Sequence, residues 1–120
     1  MSPSWWTDLW LNEGFAVYVE HLGVEAVQPQ YKYMDMFVFN KLQDVFEVDS
    51  YESSHPISIP VKNPSEIQEI FDKISYQKGA SVLRMMAAFL TSATFKAGVT
   101  NYLTEKYEHN FLSCKFFSFG

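Results

Sequence analysis

Glu13 and Glu20 stand seven residues apart in the apolar run WWTDLWLNEGFAVYVEHLG, residues 5–23. At about 100° per residue this spacing puts both carboxylates on one stripe of a helix, with Ala16 and Val17 between them. Few strongly polar residues occupy the remaining circumference, so the helix reads as buried nearly all round. Burying an ionised carboxylate without a partner costs on the order of several kcal/mol, so a buried Glu here needs a cation, a hydrogen-bond network or a metal. A salt-bridged or surface Glu satisfies the same spacing. Far along the chain, Tyr76 lies at or just before the start of another helical run. A phenol held there can donate a hydrogen bond into a neighbouring cleft, or it is a core aromatic whose hydroxyl is satisfied by backbone.

The elements that must position these groups follow from periodicity. Ser2-Pro3-Ser4 leads into the first helix, with Ser4 or Thr7 as N-cap and Asp8 in the first turn. That helix runs to about Leu22, and Gly23 suits its C′ position. After a linker at Gln28-Pro29-Gln30, a second, amphipathic helix starts near Tyr31. Its apolar face is Met34, Phe37, Val38, Leu42, Val45 and Phe46, read as core. Residues 48–63 break the pattern with two prolines and many small polar residues; Ile57, Ile59 and Val61 alternate as in an extended segment. His55, held extended by Pro56, reads as a hydrogen-bonded loop residue rather than a ligand. Asn63-Pro64-Ser65-Glu66 starts a short helix carrying Ile67, Ile70 and Phe71 and ending near Asp72 or Lys73. The run Ala80 to Thr91 follows, with Val82, Leu83, Met86, Ala87 and Leu90 on its buried side. A last helix, about Ser92 to Tyr107, presents Phe95, Val99, Tyr102 and Leu103.

Composition narrows the class. The 120 residues make one domain at most, and 48% hydrophobic with 18% aromatic content is rich enough to fill a core. A net charge of −5 offers no basic patch for nucleic-acid phosphates. The single cysteine, Cys114, cannot form an internal disulfide. No apolar run of membrane-spanning length occurs, and Trp5, Trp6 and Asp8 stand where a leader peptide would show a basic start and an uninterrupted apolar core. The chain itself therefore carries no address, and localisation stays open.

Two stretches resemble a known family. Trp5 to Ala16, with Asn12-Glu13-Gly14 at its centre, resembles the segment of the gluzincin zinc aminopeptidases, the aminopeptidase N-like enzymes, that carries the third zinc ligand. Phe71 to Met85, FDKISYQKGASVLRM, resembles the second signature of the same enzymes, whose Tyr hydrogen-bonds the oxyanion of the tetrahedral intermediate. Ser53-Ser54-His55-Pro56-Ile57 and Phe95 to Leu103 also look like family sequence, so the likeness spans about residues 5–107. The resemblance implies that Glu13 is a zinc ligand and Tyr76 the catalytic oxyanion donor. A neutral, high-pKa donor fits that task, because it stabilises developing negative charge without joining the proton traffic.

The resemblance also defines what these residues lack. The HExxH pair of His ligands with its general-base Glu, and the Gly-x-Met-Glu-Asn segment that binds the substrate's amino group, would both fall before Met1. His21 and His109 form no HExxH, and His21 lies on a different helix face from Glu13. Glu20 would serve either as an acceptor supporting a His ligand in an intact protein or as a plain buried ion-pair member. The expectation is a mainly α chain, the helical part of a truncated thermolysin-like zinc peptidase catalytic domain over residues 1–109. Residues 110–120 form a tail without family likeness or, alternatively, a C-terminal strand. The implied parent uses zinc to activate water against the first peptide bond of a peptide with a free N-terminus. The chain alone is expected to be inactive and to hold no zinc stably, with apolar faces that favour self-association. Alternatives are a non-catalytic short form that binds a full-length aminopeptidase, and a helical domain in which Glu13 and Tyr76 are structural.

Overall fold

The computed structural model describes residues 5–106. Ser4, His109, Cys114 and the tail therefore lie outside the described residues. Among the described residues five α-helices dominate: α1 (Leu9–Val27), α2 (Tyr33–Phe37), α3 (Asp44–Asp49), α4 (Gly79–Leu90) and α5 (Ser92–Lys106). Short 3₁₀ turns at Trp6–Asp8, Pro29–Tyr31 and Pro64–Ile70 and π turns at Val38–Gln43 and Ile74–Lys78 connect or extend them. No strand occurs among the described residues, in keeping with the mainly α expectation.

The core forms where α1 meets α4 and the turn before it. Phe15, Val17 and Tyr18 of α1 pack with Phe37, Ala80, Leu83, Ala87 and Phe95 in one apolar cluster. Full burial of side chains such as Phe37 and Leu83 contributes about 1.5–3 kcal/mol each. Edge-on contact between Tyr18 and Phe95, ring centres 5.9 Å apart, ties α5 to α1. A second, smaller cluster joins Leu9 to Val61 and Ile70, with Trp6, Ile59 and Ile67 at its margin. It holds the irregular 50–63 segment against the start of α1, helped by a hydrogen bond from the Trp5 indole N–H to the Val61 carbonyl at 2.7 Å.

The structure departs from the periodicity at several points. α1 passes Gly23 and continues to Val27; a single helical glycine costs only about 1 kcal/mol, which the continuing backbone bonds offset. No side chain caps its start, neither Thr7 nor Asp8. The helix is also not buried all round: Ala16, Val19, Glu20, Leu22 and Gly23 are exposed, because no described element covers that arc. The second helix is not one cylinder. Its apolar face crosses the π turn at Val38–Gln43, which shifts the register so that Phe37 and Val45 are buried but Phe46 is 60% exposed. Leu90 and Leu103 likewise face outward at the ends of α4 and α5.

Residues 50–63 make no strand, yet the alternation holds in part, since Val61 is buried and Ile57 and Ile59 are half-buried. The short helix after Asn63 is 3₁₀ and stops at Ile70. Glu66 closes its start by accepting from the backbone N–H groups of Lys62 and Asn63, at 2.9 and 3.3 Å, and from the Asn63 side-chain amide at 3.0 Å. No single helix among the described residues is long and apolar enough to cross a membrane.

Candidate active site

Glu13 lies in the second turn of α1, half-buried. Tyr76 lies in the π turn Ile74–Lys78, which runs without a break into α4. A π turn widens the helix by one residue per turn and re-aims the side chains it carries, a device frequent at functional sites. Here it carries the Tyr76 phenol to the side of α1 that holds Glu13, close enough for the two groups to interact electrostatically. Burial first, then the negative Glu13 beside it, push the Tyr76 pKa above its usual value. The phenol thus stays a neutral donor throughout the ordinary pH range.

The turn is anchored from behind by Asp72. Its Oδ1 accepts the Ser75 backbone N–H at 3.0 Å, and its Oδ2 meets His55 Nε2 at 2.7 Å. His55 holds its other ring nitrogen against the Pro56 carbonyl at 2.8 Å. The loop histidine is thus hydrogen-bonded, as its position before Pro56 suggests. Two further ion pairs clamp the same region: Lys78 to Asp49 and Lys73 to Asp44, each at 2.7 Å. The carboxylates of Asp49 and Asp44 are held below the usual Asp range, chiefly by hydrogen bonds from these lysines. Beside Tyr76 opens a cleft of about 370 Å³, whose lining includes Val17, Phe71, Gln77, Lys41 and Lys73.

Among the sequence candidates, the structure brings Glu13 and Tyr76 together and leaves Glu20 out. Glu20 is exposed on α1, not buried, so neither an ion-pair nor a ligand-supporting role arises among the described residues. His21 is 1% exposed and turned into the core, its Nδ1 2.8 Å from the Val17 carbonyl and its ring against Tyr33 and Phe37. It packs on a different face from Glu13, as the spacing indicates. The Asp72 anchor and the close crossing at Gly14 and Gly79 escaped the sequence reading. Isolated glycines inside two helical patterns were the available signal for the second.

The donor set decides what metal chemistry these residues can support. Among the described residues no group of three or more His, Cys, Asp or Glu could hold a metal ion. The described residues around Glu13 do not form a complete metal site.

Comparison with known proteins gives this pairing a setting. The profile of the Peptidase family M1 domain matches residues 1–119. Rabbit (Oryctolagus cuniculus) aminopeptidase N is 53% identical over 106 residues, 86% of this chain and 11% of that protein. Human (Homo sapiens) aminopeptidase N is 51% identical over 102 residues, 82% of this chain and 10% of its own length. Mouse (Mus musculus) endoplasmic reticulum aminopeptidase 1 is 49% identical over 109 residues, 91% of this chain and 12% of that protein. The chain thus spans about a tenth of the length of the relatives it matches. The profile match over nearly the whole chain and the identity near one-half to these aminopeptidases show that this chain belongs to the peptidase M1 family, as a mainly α part of its peptidase domain.

Proposed function

We propose that this chain supplies two working groups to a zinc aminopeptidase catalytic domain: Glu13 as one metal ligand and Tyr76 as the oxyanion donor. The observation that carries this reading is the nearness of the Tyr76 phenol to the Glu13 carboxylate, two side chains sixty-three positions apart that meet where α1 packs on the turn before α4. A bound zinc would act as a Lewis acid toward the scissile carbonyl of a peptide with a free N-terminus. Glu13 holds the negative charge that favours a cation at this edge. The Tyr76 O–H, which keeps its proton, donates a hydrogen bond to the oxygen that gains charge as the carbonyl carbon becomes tetrahedral. Burial keeps that proton on the phenol. Asp72 holds the backbone of the π turn that carries the phenol, which limits the reorganisation the reaction requires.

Catalytic zinc normally takes three protein ligands and needs a base for its water. The 120 residues contain no HExxH. The chain by itself is accordingly proposed to be inactive, its activity belonging to a protein that also carries those groups. A second reading, a non-catalytic form that docks onto a full-length aminopeptidase, draws on the exposed apolar residues Val19 and Leu22 of α1 and Met85 and Phe89 of α4. Co-purification with such a partner, abolished by charges at these positions, favours it.

The test of the first reading uses a full-length aminopeptidase N in which residues 5–106 replace the matching segment. Tyr76→Phe is expected to lower kcat by about 10²–10³ with zinc retained. Glu13→Ala is expected to lose stoichiometric zinc. Wild-type kcat in the first variant, or full zinc content in the second, would overturn the corresponding role. The isolated chain is assayed beside it, and zinc-dependent turnover there would refute its inactivity.

A further inference from the structure

α1 and the start of α4 cross backbone to backbone. A Cβ built on Gly14 would lie 2.7 Å from the carbonyl carbon and 3.0 Å from the Cα of Gly79. One built on Gly79 would lie 2.8 Å from the Trp10 carbonyl oxygen and 3.2 Å from the Gly14 Cα. The atoms met are main chain on both sides, so no rotamer change relieves the clash and one helix must move off the other. Gly23 and Gly98 meet nothing within 4 Å. The demand for glycine therefore belongs to the crossing and not to helices in general.

The crossing adjoins both working groups. Gly14 follows Glu13 in α1, and Gly79 lies one turn after Tyr76, where the π turn becomes α4. We propose that Gly14 and Gly79 are positioning residues: their backbone contact sets the separation between the Tyr76 phenol and Glu13. The inference rests on the oxyanion role given to Tyr76 above. A methyl at either glycine forces the helices apart and carries the phenol away from the place where charge develops. Displacements near 1 Å at a reacting centre cost about 10²-fold in rate.

A double-substitution cycle in the full-length chimaera tests this, with Gly98→Ala as the open-space control. Gly79→Ala is expected to lower kcat at least tenfold, with KM and zinc content within twofold of the parent. In the Tyr76→Phe background the same substitution is expected to change kcat less than twofold, because the donor that it misplaces is already gone. A purely structural glycine would give losses that multiply, and that result, or unchanged kcat in Gly79→Ala, overturns the assignment. Gly14→Ala approaches the same contact from α1 and is expected to behave alike. If neither glycine variant shows a cooperative thermal transition, the crossing is a folding requirement only and the assignment falls. A Tyr76→Phe enzyme with parental kcat instead removes the oxyanion reading itself, a result visible before either glycine is touched.

Discussion

Gly14 and Gly79 touch through their main chains, one next to Glu13 in α1 and the other one turn after Tyr76 at the start of α4. Stability should register this contact independently of catalysis. Alanine is intrinsically better than glycine in a helix by about 1 kcal/mol, so the sign of each Gly→Ala change shows whether space or propensity wins. Gly23→Ala and Gly98→Ala, in open surroundings, should raise stability by about 0.5–1 kcal/mol. Gly14→Ala and Gly79→Ala should lower it by about 1–3 kcal/mol through overpacking. Urea midpoints of the four variants check the split.

The His55–Asp72 contact makes the clamp behind Tyr76 sensitive to pH. Burial alone would lower the His55 pKa, but hydrogen bonds with the Pro56 carbonyl and Asp72, and the charge of Asp72, together raise it. A raised folded-state pKa means that the imidazolium adds stability that is fully present below the unfolded value of about 6.5 and lost as pH climbs through the folded one. The side chains are 23% and 33% exposed, so solvent screens the pair and the effect is modest. The urea midpoint should fall from pH 6 to pH 8 in the parent, and that component should vanish in His55→Ala. An identical slope in both would show that another group titrates.

Lys32 precedes α2 with φ 46° and ψ 52°, in the left-handed region. A branched side chain there is strained, whereas Asn tolerates it. Lys32→Asn should raise the thermal midpoint and Lys32→Val should lower it, each by the equivalent of about 1 kcal/mol. Equal midpoints for the two variants would contradict the backbone conformation.

Phe89 is 87% exposed and Met85 is 67% exposed, one turn apart on the outer face of α4. Contiguous apolar surface of this kind drives association when nothing covers it. The isolated chain should therefore form concentration-dependent oligomers, and Met85→Glu with Phe89→Lys should shift it toward monomer in sedimentation velocity. A parent chain that stays monomeric at high concentration removes the expectation.

Much of the helical framework was readable because burial imposes a period on sequence. Phe37, Val45, Leu83 and Ala87 fall inside where spacings of three and four put them. The outward turn of Phe46 was not readable, since a π turn inserts a residue without changing the apolar pattern that surrounds it. Glu20 misled for a related reason. Its stripe is shared with Glu13, but what covers a stripe depends on other elements, and none of the described ones reaches Glu20.

By itself the sequence determined the mainly α character, the two signature stretches and their residues Glu13 and Tyr76, because periodicity and literal motif are local properties of the chain. The tertiary structure decided that those residues meet. Their contact depends on a helix crossing close enough to need glycine on both sides, on a π turn that aims the phenol, and on Asp72 reaching to His55. The crossing and the Asp72–His55 bond are relations between segments apart in the chain, and such distances are fixed only when the core packs.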